Sequence, residues 1–250
     1  MIRPLYEHLR PTDWIELPLQ EVVTLKRGYS WAKEQETTSH EVGAIPVIRI
    51  PNIQSRLDLS ELLYLRDVTE DKLRESSVTA GWVLFVGSNG NPNRIGDSVH
   101  IDLDLQMVFA SFLMAMSPKD HTQLDSRFLA YWLKMHNVHE WFSKTSQRTS
   151  GLANFSWSAA RKLPIRFPSV LAEQRAIVTI LNSMDKLIEL TSLQTKFMRE
   201  IKSLEDAIED DVEDDVPAKE NKQASELDAA LQMKFALVEV LMEGRRRLKL

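Results

Sequence analysis

Apolar positions along this chain follow two regimes. Up to about residue 170 they come in short runs broken by Pro, Gly and Asn, the pattern of strands and turns with a few short helices. WIELPLQEVVTL predicts a short strand feeding a helical turn. AIPVIRIPNI (44–53) is β-rich but interrupted by Pro46 and Pro51, as in an edge strand or an irregular loop. VTEDKLRES (68–76) predicts a short helix with Thr69 near its N-cap. GWVLFVGSNGNPNRIGDSVHI (81–101) reads as strand, polar turn, strand, and MVFASFLMAM (107–116) as one further buried strand. In DSRFLAYWLKMHNVHEWFSK (125–144), Phe128, Trp132, Met135, His139 and Phe142 recur at helical spacing behind a cap at Asp125 or Ser126.

Past RKLPIRFPSV the regime changes. Ile177, Ile180, Leu181, Met184, Leu187, Ile188, Leu190, Leu193, Phe197, Met198, Ile201, Leu204 and Ile208 keep a spacing of three or four, with Lys, Arg and Glu on the other faces. At 1.5 Å per residue, some 37 residues make a rod of roughly 55 Å, against a domain diameter of about 30 Å. Much of the stripe must project beyond its own domain, and an apolar stripe of that length requires a second helix to cover it. EDAIEDDVEDDVPAKENKQ (205–223) then predicts a helix end and a mobile linker. The spacing resumes in ASELDAALQMKFALVEVLMEG (224–244), at Leu227, Leu231, Phe235, Leu237, Val238, Leu241 and Met242, with Gly244 as a stop. The expected fold class is α+β: a globular mixed α/β unit over 1–170, a long helix over 171–208, an acidic linker over 209–223, and a second helix with a basic tail over 224–250.

Composition narrows the function. Cys is absent, which removes disulfides, thiolate metal sites and a Cys nucleophile. The chain lacks an apolar run long enough for a membrane span and lacks a signal-like start, so a cytoplasmic protein with no membrane partner is expected. The net charge of −5 hides segregation: residues 205–220 carry nine acids and one Lys, and the remainder is +3. Between Trp141 and Ala172 there is no Asp or Glu, whereas Lys144, Arg148, Arg161, Lys162 and Arg166 all lie there. A basic zone within an acidic chain suits a polyanionic partner.

Catalytic signatures are missing. There is no phosphate-binding or dinucleotide Gly-rich loop, no GxSxG and no adenine-methylase Asn/Asp-Pro-Pro-aromatic motif. His136 and His139 with Glu140 have a spacing compatible with a metal, but no further ligand is evident, and packed or surface histidines are the expectation. The chain is therefore expected to be non-catalytic, with neither metal nor cofactor of its own.

What remains are loops with the side chains of nucleic-acid readers. SNGNPNRIG (88–96) offers Ser88, Asn89, Asn91, Asn93 and Arg94; Asn can pair with adenine and Arg with guanine in the major groove. SKTSQRTSGLANFSW (143–157) offers Lys144, Gln147, Arg148, Thr149 and Asn154, able to grip phosphates and reach base edges. Arg27 completes the candidate set. Each loop alone also reads as an ordinary Asn/Gly turn or Ser/Thr connector.

SGLANFSWSAARKLPIRFPSVLAEQRAIVTILNSMDKLIEL resembles the junction in specificity subunits of type I restriction–modification systems, where a target-recognition domain ends on a Pro-rich strand and enters a spacer helix. IPVIRIPNIQ, VLFVGSNGNPNRIG and LVEVLMEGRRRL are similar to further family segments. The resemblance implies a chain that reads a half-site of a bipartite target in double-stranded DNA. It also implies docking of an adenine-N6 methyltransferase subunit, which would bind S-adenosylmethionine, and of a restriction–translocase subunit in the same assembly. Two departures stand out. Family members usually carry two recognition domains and two spacers, so this chain looks like a half-subunit that would form a homodimer. An acidic segment also interrupts the spacer, leaving either two helices folded against each other or a hinged rod. The expected interface residues are Ile177, Ile180, Met184, Leu187, Ile188, Phe197, Ile201, Leu204, Leu231, Phe235, Val238 and Leu241. A stand-alone DNA-binding protein, a partner that alters another subunit's specificity, and a coiled-coil scaffold that binds no DNA stay open as rivals.

Overall fold

The structure, a computed structural model, describes residues 14–149 and 151–208, together with 228, 229, 231–234, 236, 238 and 242. In chain order the elements are β1 (Trp14–Pro18), α1 (Leu19–Val22), β2 (Val23–Arg27), β3 (Glu36–Thr37), β4 (Ile45–Ile48), β5 (Leu63–Leu65), α2 (Glu70–Ser76), β6 (Val83–Val86), β7 (Ser88–Asn89), β8 (Ser98–His100), β9 (Val108–Phe109), β10 (Leu113–Pro118), α3 (Ser126–Leu133), α4 (His136–Thr145), β11 (Gln147–Thr149), β12 (Leu152–Asn154), α5 (Trp157–Ala160), β13 (Pro164–Pro168) and α6 (Leu171–Ile208). The fold is α+β: a β-rich globular part followed by one long helix.

Among the described residues the strands form four small sheets, ordered β1-β13, β2-β10-β6-β8, β11-β12-β7 and β3-β5-β4-β9. The second is the centre of the core. β6 is buried along its whole length, and Phe85, Phe128, Phe142 and Phe167 are sealed around it. Val47, Leu65, Val108 and Ala110 form a smaller core under the last sheet, with Tyr29 and Trp31 stacked at its side.

Two sequence-based expectations change. The apolar run 107–116 is two strands rather than one. β9 runs parallel to β4, whereas β10 lies between β2 and β6, so the run serves two sheets and must turn between them. The turn falls at Ser111–Phe112 and is closed by Leu113 N–H donating to Ala110 O at 2.8 Å. The stretch 126–144 is likewise two helices. Met135 takes extended backbone between α3 and α4 (φ −61°, ψ 135°), and α3 is buried on all sides from Phe128 to Leu133. AIPVIRIPNI is a strand followed by a single 3₁₀ turn at Ile50–Asn52, with Pro51 inside that turn. Thr69 caps α2, its Oγ1 accepting from Lys72 N–H at 3.4 Å.

The junction to α6 is pinned by two consecutive side chains. Gln174 is fully buried; its Oε1 accepts from Asp125 N–H, and its Nε2 donates to the carbonyls of Gln123 and Pro168, each at 2.8 Å. Glu173 accepts from Trp14 Nε1 at 3.3 Å. One helical turn thereby clamps α6 to β1, to the end of β13 and to the start of α3. Further along, Tyr131 Oη lies 2.6 Å from Asp185 Oδ2 and 2.8 Å from Asn182 Oδ1. Burial, reinforced by the hydrogen bond to Asp185, pushes the phenol's pKa up, which keeps it a donor.

The faces of α6 divide accordingly. Ile177, Val178 and Leu181 belong to the core of their own chain, and Ile180 packs against it. Met184, Ile188 and Ile201 are half-buried, whereas Leu187, Leu190, Leu193 and Phe197 are exposed. Lys234 pairs with Asp185, and Val238 and Met242 join the same core cluster as Ile177 and Leu181, so these residues return along α6. Ile177 and Val238 are therefore corrected from partner-facing to internal: the first turns of the helix lie on the domain, and the returning segment covers them. Leu231 is half-buried. Phe235, Leu241 and the linker 209–223 lie outside the described residues, as does the side chain of Leu204. Among the described residues no helix is long and apolar enough to cross a membrane.

Candidate nucleic-acid interface

The two loops singled out in the sequence meet. β6 leaves its sheet at Val86, and after Gly87 the chain continues as β7. β12 pairs antiparallel with β7 on one side and with β11 on the other. Opposite residues fall into cross-strand rows: Gln147, Asn154 and Ser88 form one, and Arg148, Ala153 and Asn89 the next. Residues directly opposite on neighbouring strands point to the same face, so each row brings candidates from both loops to one face. Ala153, in the middle of its row, is buried.

The sheet stands on an aromatic platform. Phe155, whose N–H donates to Gly87 O at 2.7 Å, meets Phe85 and Phe142 edge-on with ring centroids 5.1 Å apart in both pairs. Trp132 and Trp141 extend the cluster through Phe142. Gly87 is required by space: a Cβ there would sit 2.4 Å from Met114 Cγ. The chain can leave β6 at this point only without a side chain.

Within this frame the candidates have distinct roles. Ser88 is buried, and its Oγ donates to Asn154 Oδ1 at 2.8 Å, so the two are a joint between loops. Asn89 and Asn91 shape the turn, their Oδ1 atoms accepting from the N–H groups of Asn91 (2.8 Å) and Asn93 (3.0 Å). Each therefore meets a ligand with one lone pair already used. Asn93 Oδ1 accepts from Ser143 Oγ at 3.4 Å, linking the turn to α4. Arg94 is held rather than splayed, donating to Asp97 Oδ2 at 2.9 Å and to Ile53 O at 3.1 Å. Lys144 pairs with Glu140 one helical turn back, an exposed contact of little energetic weight. Gln147 and Arg148 are exposed, and among the described residues no carboxylate pairs with Arg148. Thr149 lies on the same strand. Arg27 is exposed opposite Met114, at the end of the central sheet from which β7 departs.

Sequence reasoning missed the groups that hold these in place. Asp97 binds Arg94 and also His139, whose Nε2 is 3.0 Å from Asp97 Oδ1. Burial raises the pKa of Asp97, but the hydrogen bonds from His139 and Arg94 outweigh it and hold the carboxyl below its ordinary range. The i,i+3 pair Arg94–Asp97 was the available signal. Arg49 was missed too. It follows β4, and its Nε is buried with no acceptor among the described residues.

A second polar chain lies elsewhere: His100 Nε2 contacts Ser126 Oγ and His100 Nδ1 contacts Asp102 Oδ1, both at 2.9 Å. Its atom order is that of a hydrolase relay. However, Arg127 also grips Asp102 at 2.8 Å, and the N–H groups at the start of α3 are taken by Asp125. The chain ties β8 to α3. Among the described residues there is no cluster of three or more His, Asp or Glu able to hold a metal ion.

A family model described as the type I restriction modification DNA specificity domain matches residues 11–197. The specificity subunit of the type I restriction enzyme StySPI from Salmonella potsdam is 25% identical over 193 residues, covering 76% of this chain and 40% of that protein. The specificity subunit of EcoKI from Escherichia coli (strain K12) is 26% identical over 189 residues, covering 75% and 39%. Among solved structures, the type I S subunit from M. genitalium superposes with a TM-score of 0.50 at 18% identity, over 76% of this chain and 44% of that one. A chain from a study of complex assembly and conformational transition of the type I R-M system gives 0.53 at 16% identity, over 94% and 47%. The chain thus spans less than half the length of these relatives.

Proposed function

The chain belongs to the type I restriction–modification DNA specificity family, and from that premise we propose that it reads a DNA half-site through the edge of the sheet built by β7, β11 and β12 together with the 89–94 turn. The observation that carries this reading is the convergence of two loops, distant in sequence and rich in Asn, Gln and Arg, into one three-stranded sheet in cross-strand register. Arg148 and Gln147, exposed on opposite sides of the edge strand β11, are the readers. Asn89, Asn91 and Asn93 offer amide donors along the rim, and Arg27 and Lys144 supply positive charge to the phosphates. Ser88, Asn154, Arg94 and Asp97 hold these groups in register.

In this reading α6 and the segment returning along it are the handle for other subunits. An adenine-N6 methyltransferase subunit docks there and binds S-adenosylmethionine, and a restriction–translocase subunit joins the assembly. This chain supplies recognition and no chemistry of its own. A second copy covers the exposed row Leu187, Leu190, Leu193 and Phe197, because four large apolar side chains in water along about three turns are costly to leave open. Two identical readers on a two-fold axis select two inverted half-sites around an unread gap, with centres about 34 Å apart or a multiple of it.

Selection from a random DNA pool, with the methyltransferase subunit present, tests the proposal. Enrichment of a gapped inverted repeat supports it. A single ungapped asymmetric motif removes the symmetric arrangement, and the absence of any enrichment removes DNA reading.

A further inference from the structure

Outside α6, Phe112 is the only Phe, Tyr or Trp among the described residues that is exposed, at 48%. The turn that carries it lies beside the candidate interface and is held on every side. Phe112 O accepts from the N–H groups of Gly87 and Ser88, both at 2.9 Å, which are the residues leading into β7. Ser111 N–H donates to Tyr29 O at 2.8 Å, just past Arg27 on β2, and Ala110 N–H donates to Ile48 O at 2.9 Å, just before Arg49. The turn therefore sits where the chain segments carrying Arg27, Arg49 and Ser88–Asn89 converge. Burying a Phe side chain is worth about 1.5–3 kcal/mol. Here the fold forgoes about half of that gain, on a fixed turn beside the segments that carry Arg27, Arg49 and Ser88–Asn89.

We propose that Phe112 is a specificity-determining residue that makes an apolar contact with the C5-methyl group of a thymine in the half-site. This rests on the DNA-reading function proposed above. The polar members of the interface distinguish bases by donors and acceptors. The thymine methyl is the one apolar group that a base presents in the major groove, and it calls for an apolar side chain held without freedom. The clamped turn supplies that rigidity, since its carbonyl and two of its N–H groups are already bonded within the protein.

The test uses the full chain with its methyltransferase subunit and the duplex that the wild type selects. Each thymine of that duplex is replaced in turn by deoxyuridine, which pairs identically and lacks the methyl group. One replacement is expected to weaken wild-type binding about fourfold, the worth of one buried methyl, and to leave Phe112→Ala unchanged. Phe112→Ala is expected to lose about tenfold on the thymine duplex, to bind random DNA as the wild type does, and to keep its unfolding midpoint. Phe112→Leu should retain most of the affinity. If no replacement matters to the wild type, or the selected site has no thymine, the proposal is overturned. It is also overturned if Phe112→Ala binds its target normally, loses equally on random DNA, or loses the methyltransferase subunit instead. A wild type that enriches no sequence refutes the DNA-reading function itself, which separates the two failures.

Discussion

Ser88 Oγ donates a 2.8 Å hydrogen bond to Asn154 Oδ1, joining two loops that lie 66 residues apart in the chain. The bond is part-buried and crosses the pairing of β7 with β12, so it fixes the register that aligns Gln147 and Arg148 with the 89–94 turn. Ser88→Ala is expected to cost about 1 kcal/mol, the net worth of such a bond. It should also blunt discrimination between DNA sequences more than it lowers affinity for random DNA. Denaturant unfolding and competition binding measure the two effects.

Gln174 is a larger stake. Gln174→Leu keeps the volume but strands Asp125 N–H and the carbonyls of Gln123 and Pro168 in a fully buried site. Leaving buried backbone groups unpaired costs about 1–3 kcal/mol each. A loss of about 3 kcal/mol is expected after relaxation, together with proteolytic cutting at the start of α6. Unchanged stability would mean that the junction is held elsewhere.

The long helix was legible because its period runs unbroken, and so were the strands around Phe85 and the cap at Thr69. The convergence of the two loops was not, because β7 and β11 are two- and three-residue strands whose partners are set by Gly87 and the aromatic cluster beneath them. The exposure of Phe112 was hidden for a related reason. In MVFASFLMAM every position reads as buried, and only the membership of β9 and β10 in different sheets forces the turn. Ile177 read as an interface residue because periodicity marks an apolar face without saying what covers it. Here its own domain does.

Glycines make that dependence measurable. A Cβ on Gly28 would lie 2.1 Å from Ala110 O, a backbone atom fixed by the Phe112 turn, whereas a Cβ on Gly90 meets nothing within 4 Å. Gly28→Ala is expected to destabilise by about 3 kcal/mol, the upper end of overpacking costs. Gly90→Ala should lie within about 1 kcal/mol of the wild type. Thermal unfolding of the pair checks the contrast.

His100 gives the fold a pH dependence. Burial pulls its pKa below the ordinary value of 6.5, and the attraction of Asp102 only partly opposes it, with Arg127 and Asp125 as the other charges facing it. Because the folded pKa is the lower one, the folded state resists taking up the proton. Stability is then fully present above about pH 6.5 and is lost as the pH falls through the folded value. The unfolding midpoint should drop between pH 7 and 5, and His100→Gln should make that slope shallower. An identical slope in the variant would assign the effect to other groups.

The exposed row on α6 decides assembly, and the choice of positions matters. Ile180 packs against the core of its own chain, so a charge there would damage the fold before it reported on any partner. Leu190 and Phe197 are 55% and 61% exposed, and each projects from a helix already anchored by Gln174 and Tyr131. Leu190→Glu with Phe197→Glu should change the intrinsic stability of the single chain by no more than about 0.5 kcal/mol, as surface substitutions do, apart from any stabilisation lost with a partner. If a second copy covers the row, the double variant should be monomeric by light scattering at tens of micromolar, where the wild type is dimeric. It should also lose the symmetric two-half-site preference while keeping the half-site. If instead the methyltransferase subunit covers the row, the variant should keep its oligomeric state and lose co-purification with that subunit. A wild type that is monomeric and well behaved at that concentration would remove the homodimer and leave the row to the methyltransferase subunit.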